Sequence, residues 1–507
     1  MAKAKQKRPS PNGKKPAKIA ANTNGNSSER NEKKTKKSLK TKKGSLLSLP
    51  VCVVVATMSF LVGICTPPLL TISDHRSPPI LQSMKSFISA ITKSSIPSLP
   101  IKPFASNKSK GEDTSSFTIY KANARVECTP ENLANFLHDY PERGLHIACI
   151  KPSREDKSSL SVSIYNGAVS DRMDMHSVEK NWDSLKSLLV RRLGLSRSNN
   201  KPQRWGIFTS HGEKIANADA NPKRKSSYLR RVVESELIVI IAGGTWIWPG
   251  VRVGFERTVS LNSFMPSVDF VKKDSHKTAL AANDTIVLET LSLVPLLLSV
   301  KNFLSTDECD HIQTTSEPKM KYSGVSLKDG DKGKAASEWR TSQTAFLYSK
   351  GDPILEHLDE RVARLARIPV QHQEQVQVLR YGHLEKYDSH HDYFDPRHYK
   401  NSPDIQKMTD YGEKNRQVTV FWYLSDVEEG GETIFPRSGG AAPPRSNKDC
   451  SKGVKVKPEK GKVIIFYSLH FDGEPDEYSL HGACPVKDGI KWAANKWIWS
   501  APMGFVS

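Results

Sequence analysis

Three potential metal ligands, His390, Asp392 and His481, and a lysine ten residues past the last of them, Lys491, are the side chains of this chain best suited to chemistry. Two imidazoles and one carboxylate on one face of an iron ion leave the opposite face open for a bidentate cosubstrate and dioxygen. His390 and Asp392 are separated by one residue, so on an extended strand both side chains leave the same face and His391 leaves the other. A His-x-Asp pair alone is common and carries little information. His481, in Ser479-Leu480-His481-Gly482, is by itself an ordinary surface or core histidine, and the fold must bring it back to the other two. Lys491 opens an apolar run with Trp492, Ala493, Trp497 and Trp499. An ammonium buried there is unfavourable without an anion, and the carboxylate of a ligand would supply one.

The elements around these residues predict an α+β chain. After Pro369, residues 375–381, 417–424, 461–467 and 491–499 alternate or run apolar between turn signals, the rhythm of an antiparallel sandwich. Upstream, Ser305 or Thr306 is placed to cap a helix running through Ile312. Ile354, Leu355, Leu358, Val362 and Leu365 lie at helical spacing after Pro353. A separate small α+β domain is expected over residues 118–260, with strands at 146–151, 159–165, 205–208 and 237–242 and a helix at 178–193. A linker at 261–286 then joins it to a domain at 287–503. The run Gly244-Thr245-Trp246-Ile247-Trp248-Pro249-Gly250 suits either an aromatic binding surface or, by preference, packing between domains.

The net charge of +21 suggests a nucleic-acid binder only until its distribution is read. Residues 1–44 hold fifteen Lys and Arg against Glu29 and Glu32, and almost no apolar surface, so they form a solvated, disordered basic tail. No nucleic-acid partner is expected. Residues 45–66 contain Leu46 to Cys65, an uncharged stretch of about twenty residues, long enough to span a bilayer. Lysines before the span predict a cytosolic amino terminus, hence a type II signal anchor with the remainder lumenal. Residues 67–117 read as a Ser/Pro/Lys-rich stalk. Cys128, Cys149, Cys309, Cys450 and Cys484 would then lie where disulfides persist, with Cys128–Cys149 and Cys309–Cys484 the preferred pairs. Asn107-Lys-Ser and Asn283-Asp-Thr match the glycosylation sequon, which makes a glycoprotein the expectation.

The segment LRYGHLEKYDSHHDYFD resembles the metal-binding strand of the prolyl 4-hydroxylases. RQVTVFWYLSDVEEGGETIFP resembles their next strand and hairpin, and SLHGACPVKDGIKWAANKWI their closing strands. LSLVPLLLSVKNFLSTDECDHI and EWRTSQTAFL are similar to the family's entry helix and Arg-Thr-Ser strand, so the resemblance spans residues 287–503. It implies a C-terminal double-stranded β-helix, or jelly roll, with flanking helices. It also implies Fe(II) on His390, Asp392 and His481, and 2-oxoglutarate with its distal carboxylate on Lys491. Tyr381 and Thr419 match positions that help hold that carboxylate, and Tyr387 and Trp497 match positions near the cosubstrate and the peptide proline. Ascorbate is implied as a cofactor that rescues oxidised iron. The family usually has Pro before the first ligand, where this chain has Ser389, and Gly-Gln before the tyrosine, where it has Leu384-Glu385-Lys386.

The expectation is therefore a membrane-anchored dioxygenase of the endoplasmic reticulum or Golgi that uses dioxygen to hydroxylate proline in secretory proteins. A related hydroxylase acting on another residue or a small molecule is one alternative. A membrane-tethered binding protein with a dead jelly roll is another.

Overall fold

The computed structural model describes residues 125–195, 204–261 and 285–503. The expected basic tail, membrane span, stalk and the asparagines of both glycosylation sequons lie outside the described residues, as does most of the expected linker. Among the described residues no helix is long and apolar enough to cross a membrane.

The first part is built on six strands: β1 (Leu145–Pro152), β2 (Ser159–Asn166), β3 (Met173–Glu179), β4 (Gly206–Thr209), β5 (Lys214–Asn217) and β6 (Leu237–Ile241). They form one antiparallel sheet in the order β3-β2-β1-β6-β4-β5. Helices α1 (Trp182–Arg192) and α2 (Lys225–Ser235) pack on one face of it. The alternation of a strand assigns each side chain to a face. Ala148, Ile150, Ile238 and Ile240 meet Leu185, Leu189 and Val232 of the helices. Ile147, Cys149, Leu237, Val239 and Ile241 face the other way and join a core shared with the C-terminal part. Burial on both faces is why β6 reads as an unbroken apolar run.

The expected helix at 178–193 is shorter, because Asn181 caps it by accepting a hydrogen bond from Ser184 N at 2.8 Å. Val178 and Glu179 belong instead to β3, a largely exposed edge strand whose apolar residues Met173, Met175 and Val178 do not keep to one face. Trp246 and Trp248 fulfil the packing reading. Both are buried in the shared core, and Trp248 Nε1 donates to Leu365 O at 2.7 Å.

The second part contains β7 (Glu256–Ser260), β8 (Thr285–Leu293), β9 (Leu296–Val300), α3 (Thr306–Ser316), β10 (Lys321–Tyr322), β11 (Gln343–Leu347), α4 (Pro353–Ala366), β12 (Val376–Tyr381), β13 (Tyr387–His390) and β14 (Arg416–Tyr423). It continues through β15 (Glu429–Gly430), β16 (Thr433–Phe435), β17 (Val454–Val456), β18 (Val463–Tyr467), β19 (His481–Ala483), β20 (Val486–Asp488) and β21 (Lys491–Trp499). Nine strands form the large sheet, β10-β11-β12-β21-β14-β18-β9-β8-β7, and four form a smaller one, β13-β19-β16-β17. Leu379, Tyr381, Phe421 and Tyr423 of the large sheet pack against Phe435, Val456 and Ala483 of the small one, which makes the sandwich. On the outer face of the large sheet, Leu355, Leu358, Val362 and Leu365 of α4 cover Val376, Val378, Ala494 and Ile498. The start of α3 is a capping box in which Ser305 and Glu308 satisfy each other's backbone N–H.

Two expectations need correction. The domain boundary at residue 260 is misplaced, because Glu256–Ser260 pairs with β8 and forms the edge of the large sheet. Cys128–Cys149 is a disulfide as expected, but Cys484 bonds to Cys450, and Cys309 is free. Cys309 sits on the buried face of α3 in the shared core, where a thiol packs as a small apolar group.

Candidate active site

Antiparallel pairing between the two short strands β13 and β19 places His390 directly opposite His481, with ring centroids 4.6 Å apart. Asp392 lies two residues past His390, just beyond the end of β13. Its Oδ1 is 3.7 Å from His390 Nε2 and its Oδ2 is 3.6 Å from His481 Nε2. All three ligand atoms fall within 4.8 Å of one another. Groups that each bind at about 2.1 Å lie roughly 3–4 Å apart around one ion, so the triad fits a divalent metal. The protonation pattern fits as well. His390 Nδ1 donates to Asp388 O at 2.9 Å and His481 Nδ1 to Ser479 O at 2.9 Å. A carbonyl only accepts, so each ring carries its proton on Nδ1 and keeps the Nε2 lone pair for the metal.

The electrostatics reinforce this. Burial, and then the neighbouring His481, holds His390 well below its ordinary value, so the ring stays neutral. Burial alone would raise the Asp392 carboxyl. His481, His390 and Arg416, together with a hydrogen bond from Thr419, outweigh that effect and keep it ionised. His391 leaves the opposite face, as the strand reading requires, and its Nε2 reaches Glu477 O at 3.0 Å.

Lys491 is completely buried on the inner face of the large sheet. Its Nζ donates to Gly431 O at 2.7 Å and lies 5.3, 5.6 and 5.8 Å from the ring centroids of Tyr381, Phe421 and Tyr423. Among the described residues no carboxylate pairs with it. Burial pushes its pKa down to about 7, against a smaller upward pull from Glu432. An ammonium with a single carbonyl partner in an aromatic box has donors left over for an anion.

The remaining expected positions separate. Tyr381 is fully buried beside Lys491, with Arg340 and Ser342 at its hydroxyl. Thr419, expected on the cosubstrate, commits its O–H to Asp392 Oδ2 at 2.7 Å, so here it steadies the metal-side carboxylate. Tyr387 stacks on His390 with centroids 3.7 Å apart, and the Arg340 guanidinium lies 4.6 Å from the same ring. Trp497 is buried, carries the Arg416 guanidinium 3.5 Å from its ring centroid, and has an Nε1 without a partner.

Sequence reasoning gave no role to Arg340, Glu374 or Arg416. Glu374 takes Arg416 through two bonds of 2.6 and 2.9 Å and also accepts from Trp499 Nε1 at 2.7 Å. This fixes Arg416 against Trp497 and beside Asp392 O, 3.4 Å away. The only available signal was the arginine opening an otherwise uncharged strand. The Cys450–Cys484 disulfide ties the loop after β16 to the strand of His481, and Asn447 O in that loop accepts from Ser389 N at 2.8 Å. The acidic Glu428–Glu432 turn contributes β15, where Lys487 pairs with Glu429 at 2.6 Å.

A facial triad within a jelly roll, with a buried cation across the barrel, defines an oxygenase-type site, and comparison with known proteins agrees. Residues 376–499 match the family model described as the 2OG-Fe(II) oxygenase superfamily. The chain is 38% identical over 220 residues to the probable prolyl 4-hydroxylase 4 of Arabidopsis thaliana, covering 42% of this chain and 70% of that relative. It is 36% identical over 219 residues to prolyl 4-hydroxylase 2 of the same plant, covering 42% and 69%. Among solved structures, a viral collagen prolyl hydroxylase from Paramecium Bursaria Chlorella virus-1 matches at 23% identity and a TM-score of 0.29, over 40% of this chain and 96% of that one. The chain belongs to the prolyl 4-hydroxylase family and is a dioxygenase, and the family implies Fe(II) and 2-oxoglutarate.

Proposed function

We propose that this protein hydroxylates peptidyl proline to 4-hydroxyproline. The reaction is coupled to oxidative decarboxylation of 2-oxoglutarate: one oxygen atom of O₂ enters succinate, the other enters the proline C–H bond, and CO₂ leaves. The observation that carries this reading is the convergence of His390, Asp392 and His481 on one point while Lys491 stays buried and unpaired by any described carboxylate. The three ligands would hold Fe(II), which when bound supplies oxygen activation; the chain supplies geometry, charge and dryness. Lys491 grips the distal carboxylate of 2-oxoglutarate, and Tyr381 walls that end of the pocket. Thr419 and the Glu374–Arg416 pair keep Asp392 ionised and oriented. Tyr387, stacked on His390, and Trp497, beneath Arg416, form the wall beside which the peptide proline is placed.

Ascorbate serves as the reductant that restores iron after uncoupled turnover. The basic tail and Leu46–Cys65 anchor the enzyme in the membrane of the endoplasmic reticulum or Golgi, with its substrates the proline-containing proteins of that lumen. Mixed with Fe(II), ascorbate and 2-oxoglutarate, the purified protein is expected to release succinate faster when a proline-rich peptide is added, and the peptide to gain one oxygen atom by mass spectrometry. Succinate release that no peptide accelerates would refute the proline assignment. The dead-enzyme alternative fails if any turnover depends on His390.

A further inference from the structure

The loop joining β18 to β19, residues 468–480, delivers His481 to the metal site, and the N-terminal sheet touches that loop at two adjacent points. Gly243, just past β6, donates its N–H to Phe471 O at 2.7 Å. A Cβ on Gly243 would lie 2.8 Å from Gly473 N and 3.0 Å from Phe471 O, so the backbones leave no room for a side chain. Gly144, just before β1, approaches as closely: a Cβ there would lie 2.5 Å from Asp472 N, and its φ of +81° also favours glycine. Arg143 forms an ion pair with the Asp472 carboxylate. These contacts come from neighbouring central strands, because Leu145 pairs with Ile241 in the β1–β6 register. Central strands buried on both faces are the stiffest part of that sheet.

From these contacts the loop is braced all the way to the ligand. Gly473 N bonds His470 O at 2.9 Å and His470 N bonds Glu474 O at 2.8 Å. Asp476 N then bonds Ser468 O at 2.9 Å, which ties the loop back to the end of β18. Ser479 Oγ bonds Asp476 O at 2.7 Å, and Ser479 O holds the Nδ1 proton of His481. The family relatives align with only 42% of this chain, so the roughly hundred residues of the N-terminal sheet need a purpose of their own.

We propose that the N-terminal sheet domain is a clamp on the 468–480 loop that positions His481, with Gly144, Gly243 and Arg143 as its positioning contacts. This rests on the reading of His481 as a metal ligand. Groups that orient a ligating histidine typically change metal affinity about 10- to 100-fold when lost. The clamp therefore acts on metal affinity, not only on folding.

The test uses the full-length protein and Mn(II), a redox-stable probe, titrated calorimetrically alongside thermal unfolding. Gly243→Val is expected to raise the Mn(II) Kd at least about tenfold. Arg143→Ala, at an exposed ion pair, should raise it about two- to threefold, and Arg143→Lys should restore it. Leu185→Ala, in the helical layer of the same domain, should lower Tm while leaving the Kd within about twofold, because Leu185 packs away from the loop. The clamp is overturned if Gly243→Val and Arg143→Ala bind Mn(II) like the wild type, or if Leu185→Ala weakens binding as much as Gly243→Val. Should Gly243→Val fail to fold, the Arg143 pair of variants decides the matter. If His481→Ala binds Mn(II) as tightly as the wild type, the metal-site reading has failed instead, a result the clamp variants cannot mimic.

Discussion

Replacing Lys491 by Met removes a charge while roughly keeping the volume, and its consequences run in opposite directions for stability and for binding. In the folded protein burial lowers the lysine from 10.5 to about 7. By linkage, between about pH 7 and 10.5 the unfolded chain carries a proton on this group that the folded chain does not. Folding stability from this site therefore rises with pH across that window, and below about pH 7 the buried ammonium exerts its full destabilising effect. At about 1.4 kcal/mol per pKa unit, that effect is on the order of 4–5 kcal/mol. Lys491→Met is expected to relieve much of it and raise the Tm of the metal- and cosubstrate-free protein at pH 6.

Binding should move the other way. Removing one partner of a buried charge pair costs about 3–5 kcal/mol, a loss of roughly 10²- to 10³-fold or more in affinity for 2-oxoglutarate. The wild type carries a further signature, because the cosubstrate needs the protonated lysine. Its apparent affinity should be flat below about pH 7 and fall up to tenfold per pH unit above. Titration calorimetry with Mn(II) present measures the affinity and its pH dependence, and thermal unfolding of the metal- and cosubstrate-free protein measures the Tm. Binding of 2-oxoglutarate to Lys491→Met within about fivefold of wild type, or an affinity that ignores pH between 6 and 9, would refute the role assigned to this lysine.

Thr419→Val removes the 2.7 Å bond to Asp392 while keeping the shape, so Mn(II) should bind about tenfold more weakly with little change in the KM for 2-oxoglutarate; the reverse pattern would return Thr419 to the cosubstrate. Cys450→Ser opens the disulfide that closes a separation of 34 residues and should lower stability by about 2–4 kcal/mol, whereas Cys309→Ser should leave the Cys128–Cys149 and Cys450–Cys484 disulfides intact by mass spectrometry.

Much of the site was legible because its chemistry demands particular residue types at short range. His390 and Asp392 share a strand face at a spacing of two, and Lys491 stands out as a cation inside an apolar strand. The outer helices were legible for a similar reason: α4 keeps Leu355, Leu358, Val362 and Leu365 on one stripe, and the residues that cap it are local. What stayed hidden was long-range or lacked a pattern. β3 is largely exposed, and its apolar residues Met173, Met175 and Val178 fall on both faces, so no sustained alternation marks it. The partner of Cys484 could not be chosen from spacing, because a disulfide requires proximity in space and Cys309 was an equally plausible thiol until α3 buried it. The pairing of Arg416 with Glu374, 42 positions apart, depends on strand neighbours that no single segment encodes.

The amino-acid sequence alone determined the kinds of ligand, the apolar periods of the strands and helices, and the family to which the C-terminal half belongs, since each is written in residue types a few positions apart. Tertiary structure alone decided that His390 faces His481 across β13 and β19, that Thr419 serves Asp392, and that the N-terminal sheet grips the loop leading to His481. Strand register and close backbone approach arise from the packing of whole layers, so the contacts that orient the ligands appear only once those layers have met.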